Sequence, residues 1–468
     1  MKIIYKKLLF VLALILFSNG VPQVLAAVTD PGNGTIQIVA DVSTDTNTPE
    51  AALAQAMLAF CDNLAGIGNT DTQRLYNVCS GINKADPSLT AQAYKQLSAR
   101  SVTSITTLLS RGPATVSLED IGSRLAALRR AARKLNMALL ELDPLNPNLK
   151  NTYAGLSIED LTGGGASADE QGGLYDNRWS GFVSDAYVKS KQTETSTLAG
   201  FKADNYGMTL GLDYRLTHSA YAGIASRLLK GRADLNDNGG GLNSNDLNMT
   251  FYGTYFPTQS FYMDATLQAS RGKYDLSRRI DFSLVDTTNN VSVSENEIAK
   301  GSTDGNQLGF SLGTGYEYFF SGPAITTELT GTFKYNKAKL KAYTEDAANG
   351  LNLSIDEQTI TTELLTIGAQ FSRAFSYTGG VLLPQLNIAW KHDFNPNGED
   401  ISASFAADPF GTKFVFTTDK RDANYFELAL GVSNVNPGGW SSFVQVNTLA
   451  GYKNYQQTMV SLGIRKEF

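Results

Sequence analysis

Residues 206–216 read Tyr-Gly-Met-Thr-Leu-Gly-Leu-Asp-Tyr-Arg-Leu. Tyr206, Met208, Leu210, Leu212, Tyr214 and Leu216 fall on one side of this run, and Gly207, Thr209, Gly211, Asp213 and Arg215 fall on the other. A strict period of two specifies a β-strand with one apolar face. The division recurs at 308–317, where Leu308, Phe310 and Leu312 oppose Gly309, Ser311, Gly313, Gly315 and Glu317, and again at 365–372. A soluble sandwich would carry many Lys and Glu on its polar face. Here that face is rich in Gly, Ser, Thr and Gln, which suits an enclosed, crowded interior.

Working outward, twelve strand candidates begin near Ser180, Tyr206, Ala220, Asp246, Phe261, Gln307, Ala324, Glu363, Val381, Asn424, Ser441 and Gln456. The even connections are tight turns, at 217–219, 257–260, 321–323, 377–380 and 436–439. The odd ones include the long polar segments 274–306, 336–362 and 395–423, and only the last, around Lys453 and Asn454, is short. An even number of strands joined by alternating short turns and long loops is the pattern of an outer-membrane β-barrel. About 10 residues per strand, tilted, cover an apolar band of about 25 Å. The fold class expected is therefore mainly β, a 12-stranded antiparallel transmembrane β-barrel.

The N-terminal half has another period. From Pro49 to Leu142 apolar residues recur at three and four, as in Leu53, Met57, Phe60 and Leu64, and this reads as a small bundle of about four helices. Ser117 and Asp120 open the last helix, with Ile121, Leu125, Leu128, Leu135 and Leu139 on one face and Arg129, Arg130, Arg133 and Lys134 largely opposite. Residues 143–178 lapse into Pro, Asn, Gly and Ser and read as a linker. Ahead of everything, Lys2, Lys6 and Lys7 precede an apolar run from Leu8 to Phe17, with Val24 and Ala26 at the selective positions of a cleavage site. The division expected is a signal peptide at 1–26, an α-helical passenger-like region at 27–142, a linker and candidate pore segment at 143–178, and a barrel at 179–468.

Composition agrees. Hydrophobic residues make up 42% and charged residues 18% of the chain, which excludes disorder, and 43 glycines in 468 residues exclude a collagen. No mature stretch approaches the roughly 20 apolar residues of a membrane-spanning helix. Removing three lysines with the leader takes the formal charge from -6 to -9, and no basic stripe interleaved with aromatics is present, so nucleic acid is set aside as a partner.

The segments RWSGFV from Arg178, AWKHDF from Ala389, ISASFAADPF from Ile401, YFELALGVS from Tyr425 and the closing SLGIRKEF together resemble the autotransporter translocator domain of type V secretion. The resemblance spans about 179–468. It implies a pore occupied by the segment joining passenger to barrel, and a terminal strand whose Val460, Leu462, Ile464 and Phe468 form the assembly signal read by the barrel-insertion machinery. Lys466 stands where such signals often carry an aromatic residue. The helix from Ser117 has two placements: packed in the bundle through its leucine face, which is favoured, or in the pore with its arginines toward lumen acids Asp185, Asp213, Asp264, Glu317 and Glu328. The one Asn-Asn pair, Asn289–Asn290, lies in an external loop, so the helical region is expected to stay attached.

Cys61 and Cys79 are expected to form a disulfide in an oxidising periplasm, worth about 3 kcal/mol through the loop it closes. Catalytic signals are poor. Gly309–Gly313 matches a nucleophile elbow but lies inside a strand, and neither His218 nor His392 has an evident nucleophile beside it. Residues 234–245 place Asp234, Asn236, Asn238 and Gly239 as in a calcium loop, yet Asn245 replaces the bidentate Glu, so this reads as a flexible external loop. No enzyme, cofactor or metal is expected. The partners expected are outer-membrane lipid, the insertion machinery, periplasmic chaperones and a host or cell-surface ligand. The function expected is display or translocation of the helical module at the cell surface; the alternative is a non-secreting pore or structural barrel with a periplasmic helical domain.

Overall fold

The computed structural model describes residues 48–102, 121, 122, 125, 178–436 and 439–467. The leader, the linker at 143–177, Ser117, the arginines from Arg129 to Arg133 and terminal Phe468 lie outside the described residues.

Twelve strands close a barrel: β1 (Trp179–Gln192), β2 (Phe201–Thr217), β3 (Ala220–Leu235), β4 (Gly240–Tyr255), β5 (Phe261–Asp286), β6 (Val291–Phe320), β7 (Ile325–Leu340), β8 (Gln358–Ser372), β9 (Gly380–Asp393), β10 (Asn424–Asn436), β11 (Trp440–Ala450) and β12 (Tyr455–Glu467). Each pairs antiparallel with its sequence neighbour, and β1 meets β12 from Ser180↔Glu467 to Gln192↔Tyr455. That seam removes the last unpaired edge, as a hydrocarbon surrounding demands. The tight turns and both barrel termini share one end.

The alternation read from the sequence holds: Met208, Leu210, Leu212 and Leu216 are exposed on the outer wall, while Asn205, Thr209 and Asp213 are buried inside. Four of the five acids assigned to the lumen face inward. Asp185 does not: on β1 the even positions point inward, so Asp185 lies on the outer wall, where the Tyr206 hydroxyl donates to it at 3.0 Å.

The connections differ from the expected lengths. Residues 274–306 are no loop: β5 and β6 stay paired up to Asp286↔Val291, rising beyond β4, whose pairing stops at Gly240↔Arg278, and β7, which stops at Leu340↔Gly305. Ile280, Phe282 and Leu284 alternate with Asp281 and Ser283, so the strand period simply continues. Residues 234–245 also form a hairpin, turning only at Asn236–Asn238; Asp234 pairs with Arg232 while Asn245 stands opposite Lys230, which separates the calcium-loop positions. In the connections after β7 and β9, four short strands, Tyr343–Thr344, Leu353–Ile355, Asp400–Phe405 and Phe414–Thr417, form a small separate sheet.

The helical module packs on this end. Its described helices are α1 (Pro49–Phe60), α2 (Thr70–Lys84) and α3 (Pro87–Leu97). Thr48, Asn69 and Asp86 cap them by accepting from the backbone N–H of Ala51, Asp71 and Ser88. Cys61, after α1, is joined to Cys79 of α2 by a disulfide, with Cα atoms 5.9 Å apart. The described helices do not close a core of their own. One apolar core unites Leu53, Phe60, Leu75 and Leu97 with Ile280 and Phe282 of the raised hairpin and with Leu353, Ile401, Phe405 and Phe416 of the small sheet. Phe60 meets Phe405 edge-on, ring centroids 6.0 Å apart. Gly350, at φ +95, lets its loop pass against the Asp71 backbone, where a Cβ would collide.

Phe405 is 1% exposed between module and sheet. Phe405→Ala should destabilise the joint unit by about 3–5 kcal/mol, seen as earlier urea unfolding of module and loops, while the barrel keeps its heat-resistant electrophoretic mobility.

Candidate functional site

The site is the barrel's interior and outer mouth. Near the tight-turn end, Ile121 and Leu125 are buried in the lumen against Phe182, Tyr221, Tyr252, Phe256 and Tyr262. Ile121 and Leu125 thus sit in the pore; packing of this apolar face in the bundle, the favoured expectation, is corrected at these two residues, and the rest of the face lies outside the described residues. The collar is built by register. Phe182 stands opposite Gly211, Tyr252 opposite Gly223 and Tyr262 opposite Gly315. In each pair the ring lies over the space a Cβ would fill. Glycine next to an inward aromatic on the adjacent strand is thus the signal that sequence reading left unused.

Lumen acids tether this collar. The Tyr252 hydroxyl and the Ser180 hydroxyl both donate to Asp213, and the Tyr262 hydroxyl donates to Glu328 at 2.6 Å. The opposite wall stays polar. There a cavity of about 190 Å³ runs beside Leu125, lined by Asp264, Ser311, Thr332, Lys391, Glu427 and Asn447. Lys391 and Glu427 pair at 2.6 Å, both buried. A buried pair of this kind is kept by geometry and mutual need, since losing one member strands the other charge.

The mouth opposite the tight turns is covered by the module. Arg74 of α2 pairs with Glu295 and, at 2.8 Å, with Glu297 on β6. Arg278 on β5 pairs with buried Glu345, and also donates to the Gln96 carbonyl at 2.8 Å and the Leu351 carbonyl at 2.9 Å. Arg100 joins Glu50 at 2.9 Å to Glu194 at 3.1 Å and the Leu198 carbonyl at 3.2 Å, tying the module to the β1–β2 connection. The Asp86 N–H donates to Asp286 at 2.8 Å. The side-chain amide of Asn289 holds the Asp286 carboxyl below the ordinary range, and the Ser88 hydroxyl does the same for Asp86.

The other candidates are dispersed. Ser311 faces the lumen within β6, and His392 shares a 2.9 Å contact with Asn424 on the outer wall. Asn289 and Asn290 form the tip of the raised hairpin, where Asn290 takes a positive φ of 53. Val460, Leu462 and Ile464 are exposed on the outer face of β12. Among the described residues no group of three His, Cys, Asp or Glu side chains is placed to hold a metal.

The family model described as the autotransporter beta-domain matches residues 182–447. The chain belongs to this family. Its place is the bacterial outer membrane, with the apolar outer wall against lipid. The chain is similar to Lipase 1 of Photorhabdus luminescens, 24% identical over 167 residues, covering 36% of this chain and 25% of the lipase. It is also similar to Outer membrane protein A of Rickettsia conorii, 25% identical over 276 residues, covering 57% of this chain and 13% of that protein. The chain thus spans a quarter or less of these two relatives. Among solved structures, the translocator domain of the autotransporter NalP from Neisseria meningitidis is 16% identical with a TM-score of 0.47, covering 63% of this chain and 89% of that one.

Two outcomes are expected for this autotransporter. Leu125→Asp sets a charge against the aromatic collar, and conductance of the protein in planar bilayers should rise well above wild type; an unchanged value would contradict the seating of this segment. The Ser88 and Asn289 hydrogen bonds lower the pKa values of the Asp86 and Asp286 carboxyls, so the α3 cap and the hairpin-tip turn that receives the Asp86 N–H are stabilised above the ordinary carboxylate pKa of about 4, and this is lost as pH falls through the lowered values. Amide hydrogen exchange in α2 and α3 should therefore be constant from neutral pH to about 5, after correction for intrinsic rates, and accelerate below about 4.

Proposed function

We propose that this autotransporter displays a small helical module at the cell surface and keeps it there, seated on the barrel's own outer loops. The observation that carries this reading is the shared core: α1, α2 and α3 complete their apolar packing only with the raised β5–β6 hairpin and the small loop sheet. In an outer-membrane barrel the short turns face the periplasm and the longer connections face outward. Ile121 and Leu125 in the lumen supply the rest, because the chain then runs from an outer module through the pore to Trp179 at the inner rim. Residues 103–120 suffice for that crossing: even at about 1.5 Å per residue they reach about 25 Å.

In this reading the protein is not itself an enzyme. The exposed surface of the module meets a host or cell-surface ligand, and Cys61–Cys79 braces α2 against α1. Val460, Leu462, Ile464 and Phe468 serve the barrel-insertion machinery after periplasmic chaperones have carried the unfolded strands. The Asn289–Asn290 pair lies within the barrel and none stands between module and barrel, so the two stay one covalent chain, running as a single band with no separate barrel fragment after electrophoresis.

An epitope inserted after Thr44 tests the display. Protease added to intact cells should remove the epitope while a periplasmic control protein survives. Protection of the epitope on intact cells, with digestion only after outer-membrane permeabilisation, would overturn the reading in favour of a periplasmic module.

A further inference from the structure

The outer wall changes character just beyond the apolar band along β1–β7; on β1 and β2 the outward residues there are Lys189, Lys191 and Lys202, with Asp204 opposite both Lys189 and Arg232. On β3, β5 and β7 the first outward residues past that band are Lys230 and Arg232, Arg271 and Lys273, and Lys337 and Lys339. Register gathers them. Lys230 stands opposite Asn245 of β4, which stands opposite Lys273; Asn306 of β6 stands between Arg271 and Lys339. Directly below on the same faces lie exposed Leu228, Leu247, Leu267 and Leu308. Acids are interleaved with them and continue outward: Asp304 stands opposite Lys273 and 3.7 Å from Arg271, Asp234 is 3.0 Å from Arg232, Asp275 is 3.7 Å from Lys273, and Glu357 is 3.1 Å from Lys339. These pairs are solvent-exposed and therefore weak. The six cations outnumber their acidic neighbours and remain available to a stronger anion. On the other side, the outward strand residues at this height are His392, Asn424, Thr448 and Gln456, with no acid, Lys or Arg among them.

We propose that the β3–β7 face is a docking surface for a lipid whose headgroup carries phosphate groups, held with its acyl chains along the apolar band. The layering suits such an occupant. Lys and Arg lay their aliphatic stems over apolar surface and lift the charge to the headgroup level, where a phosphate accepts from them. Asn243, Asn245 and Asn306 add amide donors between the cations. A generic need for charged residues at the membrane boundary would place them all round the barrel; the outward residues of β9–β12 there are uncharged, and the cations resume only at Lys189 and Lys191 of β1.

The proposal rests on the outward orientation argued above, but its test does not use cells. Purified full-length protein is placed in phosphatidylcholine nanodiscs doped with diphosphorylated lipid A, or with the same lipid after enzymatic removal of its phosphates, and retained lipid is counted by native mass spectrometry. Wild type should retain the phosphorylated form at least about tenfold over the dephosphorylated one. The variant K230Q/R232Q/R271Q/K273Q should lose that preference, whereas N424A/T448A on the neutral β10–β11 wall should keep it. If the fourfold variant does not fold, K230Q/K273Q should show a partial loss. Equal retention of the two lipids by wild type, or an undiminished preference in the charge variants, would overturn the proposal. Protection of the Thr44 epitope on intact cells would overturn the display reading alone, since the lipid preference is read without reference to orientation.

Discussion

Inside a bilayer no water is available to the backbone, so every N–H and C=O that faces hydrocarbon must be paired within the protein. In this chain that demand is met at the seam, where Ser180–Gln192 pairs residue by residue with Tyr455–Glu467. Closure fixes which side of each strand is inside, and a one-residue slip would exchange the two faces along a whole strand. Once closed, the barrel has an interior to fill, and small inward residues alone leave it hollow. The chain fills it unequally. Against β1–β5 the rings of Phe182, Tyr252 and Tyr262 lie flat over neighbouring glycines and receive Ile121 and Leu125. Against the remaining wall a polar cavity is left, organised by the Lys391–Glu427 pair.

The same closure makes the outer cap. Helices of 11–15 residues are marginal in water on their own. Here their buried faces are completed by side chains from the β5–β6 hairpin and from connections that come together only because the barrel sets their roots side by side. Polar contacts then fix the angle of docking: Arg278 reaches from β5 to Gln96 of the module and Leu351 of a loop at once, and Arg100 links α1 to the β1–β2 connection. Such charged contacts are directional where the apolar core is not, so the core supplies the stability and the arginines the orientation.

Much of this was legible in the sequence, and the remainder was hidden for definable reasons. Period two gave the twelve strands and the sidedness of Tyr206–Leu216, because alternation is imposed by an apolar solvent outside. It misplaced Asp185, which reads as a lumen acid by residue type but falls on the outward parity of β1. Residues 274–306 read as loop since their composition is polar, although Ile280, Phe282 and Leu284 keep the strand period; parity there carried more information than mean polarity. The leucine face opened by Ile121 suits a helical bundle and an aromatic collar equally, so only the pairing of inward rings with inward glycines on adjacent strands separates the two.

The inner and outer walls are both asymmetric, and the two asymmetries overlap along β3–β5. Where the interior is packed by Ile121, Leu125 and the aromatic collar, along β1–β5, the wall is stiffened from within. The longest strands, β5 and β6, stand at its margin and carry much of the module's weight. A long hairpin raised beyond its neighbours exposes both of its flanks; the flank facing the module is covered by α2 and α3, while the outward flank bears Arg271, Lys273 and the acids beyond them. Charged residues at a rising edge keep it soluble and discourage pairing with another strand. The cationic layer at the foot of that hairpin therefore sits where the protein most needs its edge held at a fixed height against the membrane. Beyond β7, the β7–β8 and β9–β10 connections fold over into the small sheet, and on the strands β9–β12 uncharged residues suffice at the same boundary.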